Sequence, residues 1–283
     1  MTSFHTDLDA RGVAVVTIDG PPVNLMTVAM FLELATEFER LAGDRAVRVV
    51  VIRSANPEWF IAHFDVEAIL GFPTDHPPAA ELNGFHRMCE TLRTMPKPTI
   101  AEIAGRVGGG GSELALSCDM RFAAPAAIFS QPEVALGILP GGSGTVRLPR
   151  LVGRSRALEA ILGCDDIDAT TAERWGWINR VVPADELRPF VDRLAARIAS
   201  FPAHAVAAAK ARVVAAEGTL TDDLLAEGDA FNATLGGAGT QAAMRRFLEL
   251  GGQTPDGERR LGELAGQVSG APHVGVDGES NPS

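Results

Sequence analysis

Gly108-Gly109-Gly110-Gly111-Ser112-Glu113-Leu114-Ala115 is the stretch around which this 283-residue chain is organised. Four consecutive glycines run into an apolar, helix-forming segment with a carboxylate on its first turn. A strand-like run, Pro98-Thr99-Ile100-Ala101-Glu102-Ile103-Ala104, leads into it. Glycine allows positive φ and close approach of the backbone to a ligand. A helix start offers unpaired N–H groups and the positive end of a dipole. An oxygen acquiring negative charge would find donors here, with Glu113 beside them as an acid/base group. Taken alone, the stretch fits equally a glycine-rich turn whose glutamate only complements the dipole.

A second loop shares the design. Gln131-Pro132-Glu133 is followed by Gly137 and by Pro140-Gly141-Gly142-Ser143-Gly144-Thr145, again leading into a helix. A helix and two short strands separate Glu113 from Glu133, an excursion that can bring the chain back near its start. Two carboxylates on one pocket suit acid/base work on a water; the alternative is that Glu133 sits exposed on a turn. In a third loop, Ala62-His63-Phe64-Asp65, Asp65 is placed to cap a short helix and the Phe64 N–H could be a second oxyanion donor. His63 reads either as a base or as a locally hydrogen-bonded loop residue. Ser112 has no His and Asp partners at a spacing that supports a nucleophile. The other histidines (His5, His76, His86, His204, His273) have no metal-ligand spacing. The glycine run lacks the Gly-Lys-Ser/Thr ending of a phosphate loop and is not a specific dinucleotide fingerprint.

Composition narrows the classes. Hydrophobic residues make up 46% of the chain and mean hydropathy is +0.10, which suits a filled core. No apolar run approaches the ~20 residues of a membrane span, and Met1 to Asp7 carries no secretory signal pattern. Three scattered cysteines, Cys89, Cys118 and Cys164, make neither a disulfide framework nor a metal site and fit a reducing, cytoplasmic setting. A net charge of −11 argues against nucleic-acid binding.

Residues 4–9 and 13–18 predict a hairpin, 27–42 a helix, 47–52 a buried strand, 56–65 a loop and 79–94 a helix ending before Pro96. Strand 98–104, the glycine stretch and its helix follow, then short strands at 120–124 and 127–129. Helices are expected over 155–162, 168–175, 185–199, 203–216, 219–233 and 239–250, with one strand at 177–182. This order predicts an α/β core of ββα units over 1–195 and a helical region over 196–250. Residues 251–283, rich in Gly, Pro, Ser and charge, read as a mobile tail.

The chain resembles the crotonase (enoyl-CoA hydratase/isomerase) superfamily over about residues 13–215. The resemblance is carried by Pro96 to Ala101 with Gly105, Gly108 to Ala115, Cys118-Asp119, Gln131-Pro132-Glu133 with Gly137, Pro140 to Thr145, Leu148-Pro149-Arg150 and Val152-Gly153. Asn24-Leu25 is similar to the family's N-terminal loop, and Phe60 to Val66 to the segment lining its CoA site. The resemblance implies a spiral of ββα turns with a helical C-terminal trimerisation region, in homotrimers or hexamers. It implies an acyl-CoA thioester substrate, CoA arriving with the substrate, and no metal or other cofactor. The oxyanion donors would be the backbone N–H groups of Phe64 and Gly110, the acid/base pair Glu113 and Glu133, and the water-positioning residue Gly141. Val23, Ala62, His63, Asp65, Val66 and Gly109 would contact substrate or CoA. Glutamate at both acid/base positions favours hydration of a 2-trans-enoyl-CoA. An isomerase shuttling one proton, or a non-catalytic acyl-CoA-binding homologue, are the alternatives. Ala62-His63-Phe64-Asp65 departs from the family's usual Ala-Gly-Ala-Asp, with a bulky ionisable group in place of glycine and a ring at the pocket mouth.

Overall fold

The uninterrupted apolar run near residue 50 becomes strand β3 once the N-terminal elements are in place. The computed structural model of the chain describes residues 3–75 and 77–270. In it β1 (Phe4–Leu8) and β2 (Val13–Ile18) form an antiparallel hairpin. Helix α1 (Val28–Gly43), capped by the Thr27 side chain on the Met30 N–H, buries Met30, Leu34, Phe38 and Leu41 on one face at the i, i+4 spacing of an amphipathic helix. Then β3 (Val49–Ser54) pairs parallel to β2.

From here each turn of chain adds one strand to each of two sheets. After β3 come β4 (Trp59–Ile61), α2 (Val66–Leu70) and α3 (Gly84–Thr94). Next are β5 (Thr99–Ile103), β6 (Arg106–Gly108) and α4 (Gly109–Ser117). They are followed by β7 (Met120–Ala123), β8 (Ile128–Ser130), a 3₁₀ turn (Glu133–Leu136) and α5 (Gly144–Val152). Strands β3, β5 and β7 are parallel neighbours in one sheet, and β4, β6 and β8 in the other. This is the expected ββα spiral. The helices fill the space beside the two sheets, with Phe38, Phe60, Phe129 and Trp177 fully buried in one continuous core.

The remaining elements are α6 (Arg154–Gly163), β9 (Ile167–Asp168), α7 (Ala169–Trp175), β10 (Arg180–Val181) and α8 (Ala184–Ala199). They lead to α9 (Ala203–Ala216), α10 (Thr221–Leu235), α11 (Thr240–Glu249), α12 (Pro255–Arg259) and α13 (Leu261–Ser269). No helix among the described residues is long and apolar enough to cross a membrane.

Three expectations are corrected. The 56–65 loop contains β4, because the Trp59-Phe60-Ile61 run is buried and pairs with β6. The helix expected from residue 79 begins at Gly84, where the Asn83 side chain accepts the His86 N–H as its cap. The stretch from 251 is not a tail as far as Gly270: α13 buries Leu261, Leu264 and Ala265 and packs against Val66, Leu136 and Phe247. Residues 271–283 of that stretch lie outside the described residues.

Phe38 is the bulkiest fully buried side chain of α1. Phe38→Ala should therefore lower unfolding stability by about 3–5 kcal/mol in urea titration; an unchanged midpoint would mean that α1 does not anchor the core.

Candidate active site

Helix α4 starts directly after β6, and its glycines each meet a different wall. Gly109 has φ +44°, a left-handed conformation that other residues adopt only at a cost. At Gly111 an added Cβ would lie 2.4 Å from the Ile61 carbonyl oxygen and 2.7 Å from Ile61 Cβ, so only glycine lets α4 press onto β4. Between them, a Cβ on Gly110 would lie 3.5 Å from the Phe64 backbone nitrogen. Gly110 is in the first turn of α4, where N–H groups have no partner in the helix ladder.

Phe64 is aimed by the N-terminal loop. Met26 and Phe64 form a parallel bridge, in which the Met26 N–H donates to the His63 carbonyl at 2.9 Å and the Asp65 N–H to the Met26 carbonyl at 3.0 Å. The Phe64 N–H takes no part in this bridge. Buried Asn24 holds the same loop to β4: its Nδ2 donates to the Trp59 and Phe60 carbonyls at 3.1 and 3.0 Å, and its Oδ1 accepts the Gly20 N–H at 2.8 Å.

A cavity of about 290 Å³ opens onto these groups. Its lining includes His63, Phe64, Val66, Gly110, Glu113, Glu133 and Gly141, together with apolar side chains. Six are phenylalanines: Phe31, Phe64, Phe72, Phe85, Phe231 and Phe247. Phe31 and Phe85 stack with centroids 5.7 Å apart, and Phe64 meets Phe85 edge-on at 6.1 Å. Of the other residues expected here, Gly109 lies behind the wall, between Glu133 and His63. Asp65 caps α2 by accepting the Glu67 N–H. Val23 and Ala62 pack with Trp59 in a separate apolar cluster. None of these four lines the cavity.

The two carboxylates differ in their partners. Glu113 Oε1 accepts the Gly142 and Gly144 N–H groups, both at 2.8 Å, at the start of α5. Glu133 Oε2 is buried without a hydrogen-bond partner. Burial pushes Glu133 up to about 7. Burial raises Glu113 well above its ordinary value too, with repulsion from Glu133 and Glu227 adding to it and the two N–H bonds opposing. Repulsion between two buried carboxylates favours a proton on one of them.

Sequence reading missed Glu227 altogether. From α10 it accepts the Ser143 and Thr145 N–H groups at 2.5 and 3.0 Å, and its Oε1 lies 3.2 Å from His86 Nε2. Consecutive N–H groups of residues 142–145 thus alternate between Glu113 and Glu227. Nothing local marks Glu227, which reads as an ordinary helical glutamate; only its burial within α10 sets it apart. Glu258 and Gln253 were missed because they fall in the stretch read as a tail.

The sequence profile described as enoyl-CoA hydratase/isomerase matches residues 9–254. A crotonyl-CoA hydratase from Syntrophomonas wolfei is 36% identical over 242 residues, covering 84% of this chain and 92% of that one. A crystal structure from Streptomyces avermitilis, provisionally named an enoyl-CoA hydratase, is 41% identical, with a TM-score of 0.86 over 95% of this chain and 98% of the other. An enoyl-CoA hydratase structure from Mycobacterium avium subsp. paratuberculosis is 29% identical, with a TM-score of 0.78 over 87% and 98%. With the paired glutamates, the glycine-started helix and the spiral of ββα turns already in place, these likenesses extend over most of the chain, and it belongs to the enoyl-CoA hydratase/isomerase family.

Proposed function

We propose that the protein hydrates a 2-trans-enoyl-CoA to the 3-hydroxyacyl-CoA. The observation that carries this reading is the pair of buried carboxylates on one apolar cavity whose wall also holds Phe64 and Gly110. The thioester oxygen sits between the N–H groups of those two residues, and the α4 dipole favours the enolate-like charge that develops there. Glu113 holds the attacking water. In this reading the two N–H bonds hold Glu113 as the carboxylate against the burial that raises it, and the proton is carried by Glu133, whose Oε2 has no donor to stabilise a charge. Water oxygen bonds to C3 as Glu113 takes one of its protons; Glu133 delivers its proton to C2, and the thioester carbonyl re-forms. Gly141, on the same cavity wall, positions the water through its backbone.

The phenylalanine lining suits an apolar acyl group. The reading requires no metal or redox cofactor. A homotrimer or hexamer is part of it: α9 buries no residue and leaves Val213 70% exposed, an apolar face suited to a second copy of the chain. Three buried, free cysteines suit a cytosolic enzyme.

Purified protein should bleach the ultraviolet absorbance of crotonyl-CoA or a longer 2-enoyl-CoA as the conjugated thioester is lost. No change with short, medium and long substrates would refute hydration.

Glu113→Gln and Glu133→Gln should each lower turnover at least ~10²-fold; a near-normal rate would remove that residue from the chemistry. Stability should move the opposite way. The Glu133 value rises from 4.5 unfolded to about 7 folded, so its ionised form is disfavoured in the native state and its burden grows as pH rises through that window. Glu133→Gln should accordingly raise the thermal midpoint by several degrees at about pH 8 and scarcely at about pH 4.5. Equal shifts at both pH values would show that Glu133 is not a buried, raised carboxyl.

A further inference from the structure

The segment from Gln253 to Glu258 grips the Phe64 loop on both sides. On one side the buried His63 ring has Nε2 3.0 Å from Glu258 Oε1 and Nδ1 2.7 Å from the Phe64 carbonyl oxygen. On the other, Gln253 Oε1 accepts the Val66 N–H at 2.6 Å. The Gln253 N–H donates to Glu258 Oε1 at 2.8 Å, tying the two grips together. Both His63 nitrogens therefore face oxygens that accept. An imidazolium donates to both, whereas a neutral ring leaves one unpaired. Glu133 lies across Gly109: a Cβ built there would be 3.1 Å from His63 Cβ and 2.9 Å from Glu133 Oε1. The imidazole stem and the carboxyl thus both flank the space that a side chain at Gly109 would fill.

We propose that His63 is a positioning residue for hydration, held as an imidazolium by Glu258, fixing the Phe64 loop and stabilising Glu133 as a carboxylate once its proton has passed to C2. The second half rests on the hydratase reading. In that step the Glu133 O–H bond breaks, the enolate electron pair forms C2–H, and the charge leaves the thioester oxygen for Glu133, toward His63.

The charges facing His63 are Glu258 from α12 and Glu133 from the 3₁₀ turn, with Arg106 of β6 acting on Glu258. Phe247 of α11 meets the imidazole edge-on at 5.7 Å. Glu133 is faced by His63, Glu113 and Glu227, and it acts on Cys164. Burial alone would lower His63, but the charge and hydrogen bond of Glu258 override it and raise His63 to about 9.

Two measurements test the proposal. In the wild-type protein, nitrogen-15 NMR of labelled histidine should find His63 doubly protonated at about pH 8, more than a unit above the ordinary histidine value. A ring titrating at the ordinary value overturns the proposal, whatever the activity. In steady-state kinetics on the 2-enoyl-CoA that the wild type hydrates, Glu258→Gln and His63→Gln should each lower kcat about 10–100-fold. KM should change less, and the pH limb belonging to Glu133 should move upward because the nearby positive charge is gone. Unchanged kcat and pH profile in both folded variants would likewise overturn it. Absence of hydration by the wild type would refute the hydratase reading and the second half with it, and the NMR result would still decide the first.

Discussion

The closeness of α4 to β4 is the constraint on which the site depends. At Gly111 the helix backbone lies so near Ile61 that no side chain fits between, and that contact fixes how far the Gly110 N–H stands from Phe64. The opposite donor is placed by backbone as well, through the Met26 bridge. In the proposed hydration these two backbone groups, each oriented by sheet or helix hydrogen bonds, would reorganise little as charge develops between them. That is the condition under which such donors are most effective. It also explains why the short strands β4 and β6 matter more than their length suggests, since they set the register of both donors.

A second constraint is electrostatic. Glu113, Glu133 and Glu227 are all nearly buried, and desolvation of three carboxylates is costly unless donors meet them. The start of α5 supplies four N–H groups, and because successive amides diverge they are split, two to Glu113 and two to Glu227. Glu133 receives none of these four, and its Oε2 has no partner. In the proposed hydration this unequal supply of donors would separate two chemically identical residues, one as the charge that holds water and the other as the acid. Glu227 keeps the loop of residues 142–145 in the shape that makes the division possible, and His86 holds Glu227 in turn.

Local pattern revealed most of this architecture and only part of the site. Glycine runs before helices, the Asp65 cap and the apolar periodicity of α1 are signals between near neighbours, so they are visible in sequence. Strands β4, β6 and β9, two or three residues long, offer no period to detect. Glu227 meets residue 143 from 84 positions away, and no local feature marks such a pairing. The stretch beginning at Gly251 misleads by composition: its glycines, proline and charges resemble a tail, while Leu261, Leu264 and Ala265, at helical spacing, are what bury it. Resemblance to a known family supplied the roles of Phe64 and Gly110, since a backbone N–H leaves no signature in side-chain chemistry.

The departure at His63 makes physical sense only with that C-terminal segment in place. The non-glycine residues at positive φ among those described are Asn24, Ser143, Cys164 and Gln253. His63 is not one of them, so its side chain imposes no left-handed strain at the position where the family resemblance leads one to expect glycine. Its cost is instead the burial of a charge. Glu258, 1% exposed, carries the complementary problem, and breaking a buried pair by removing one partner typically costs ~3–5 kcal/mol. Each residue offsets the burial cost of the other. In this chain the carboxylate that meets the loop histidine comes from the far end of the sequence, on α12, directly before the α13 helix whose Leu261 and Leu264 pack with Val66, Leu136 and Phe247.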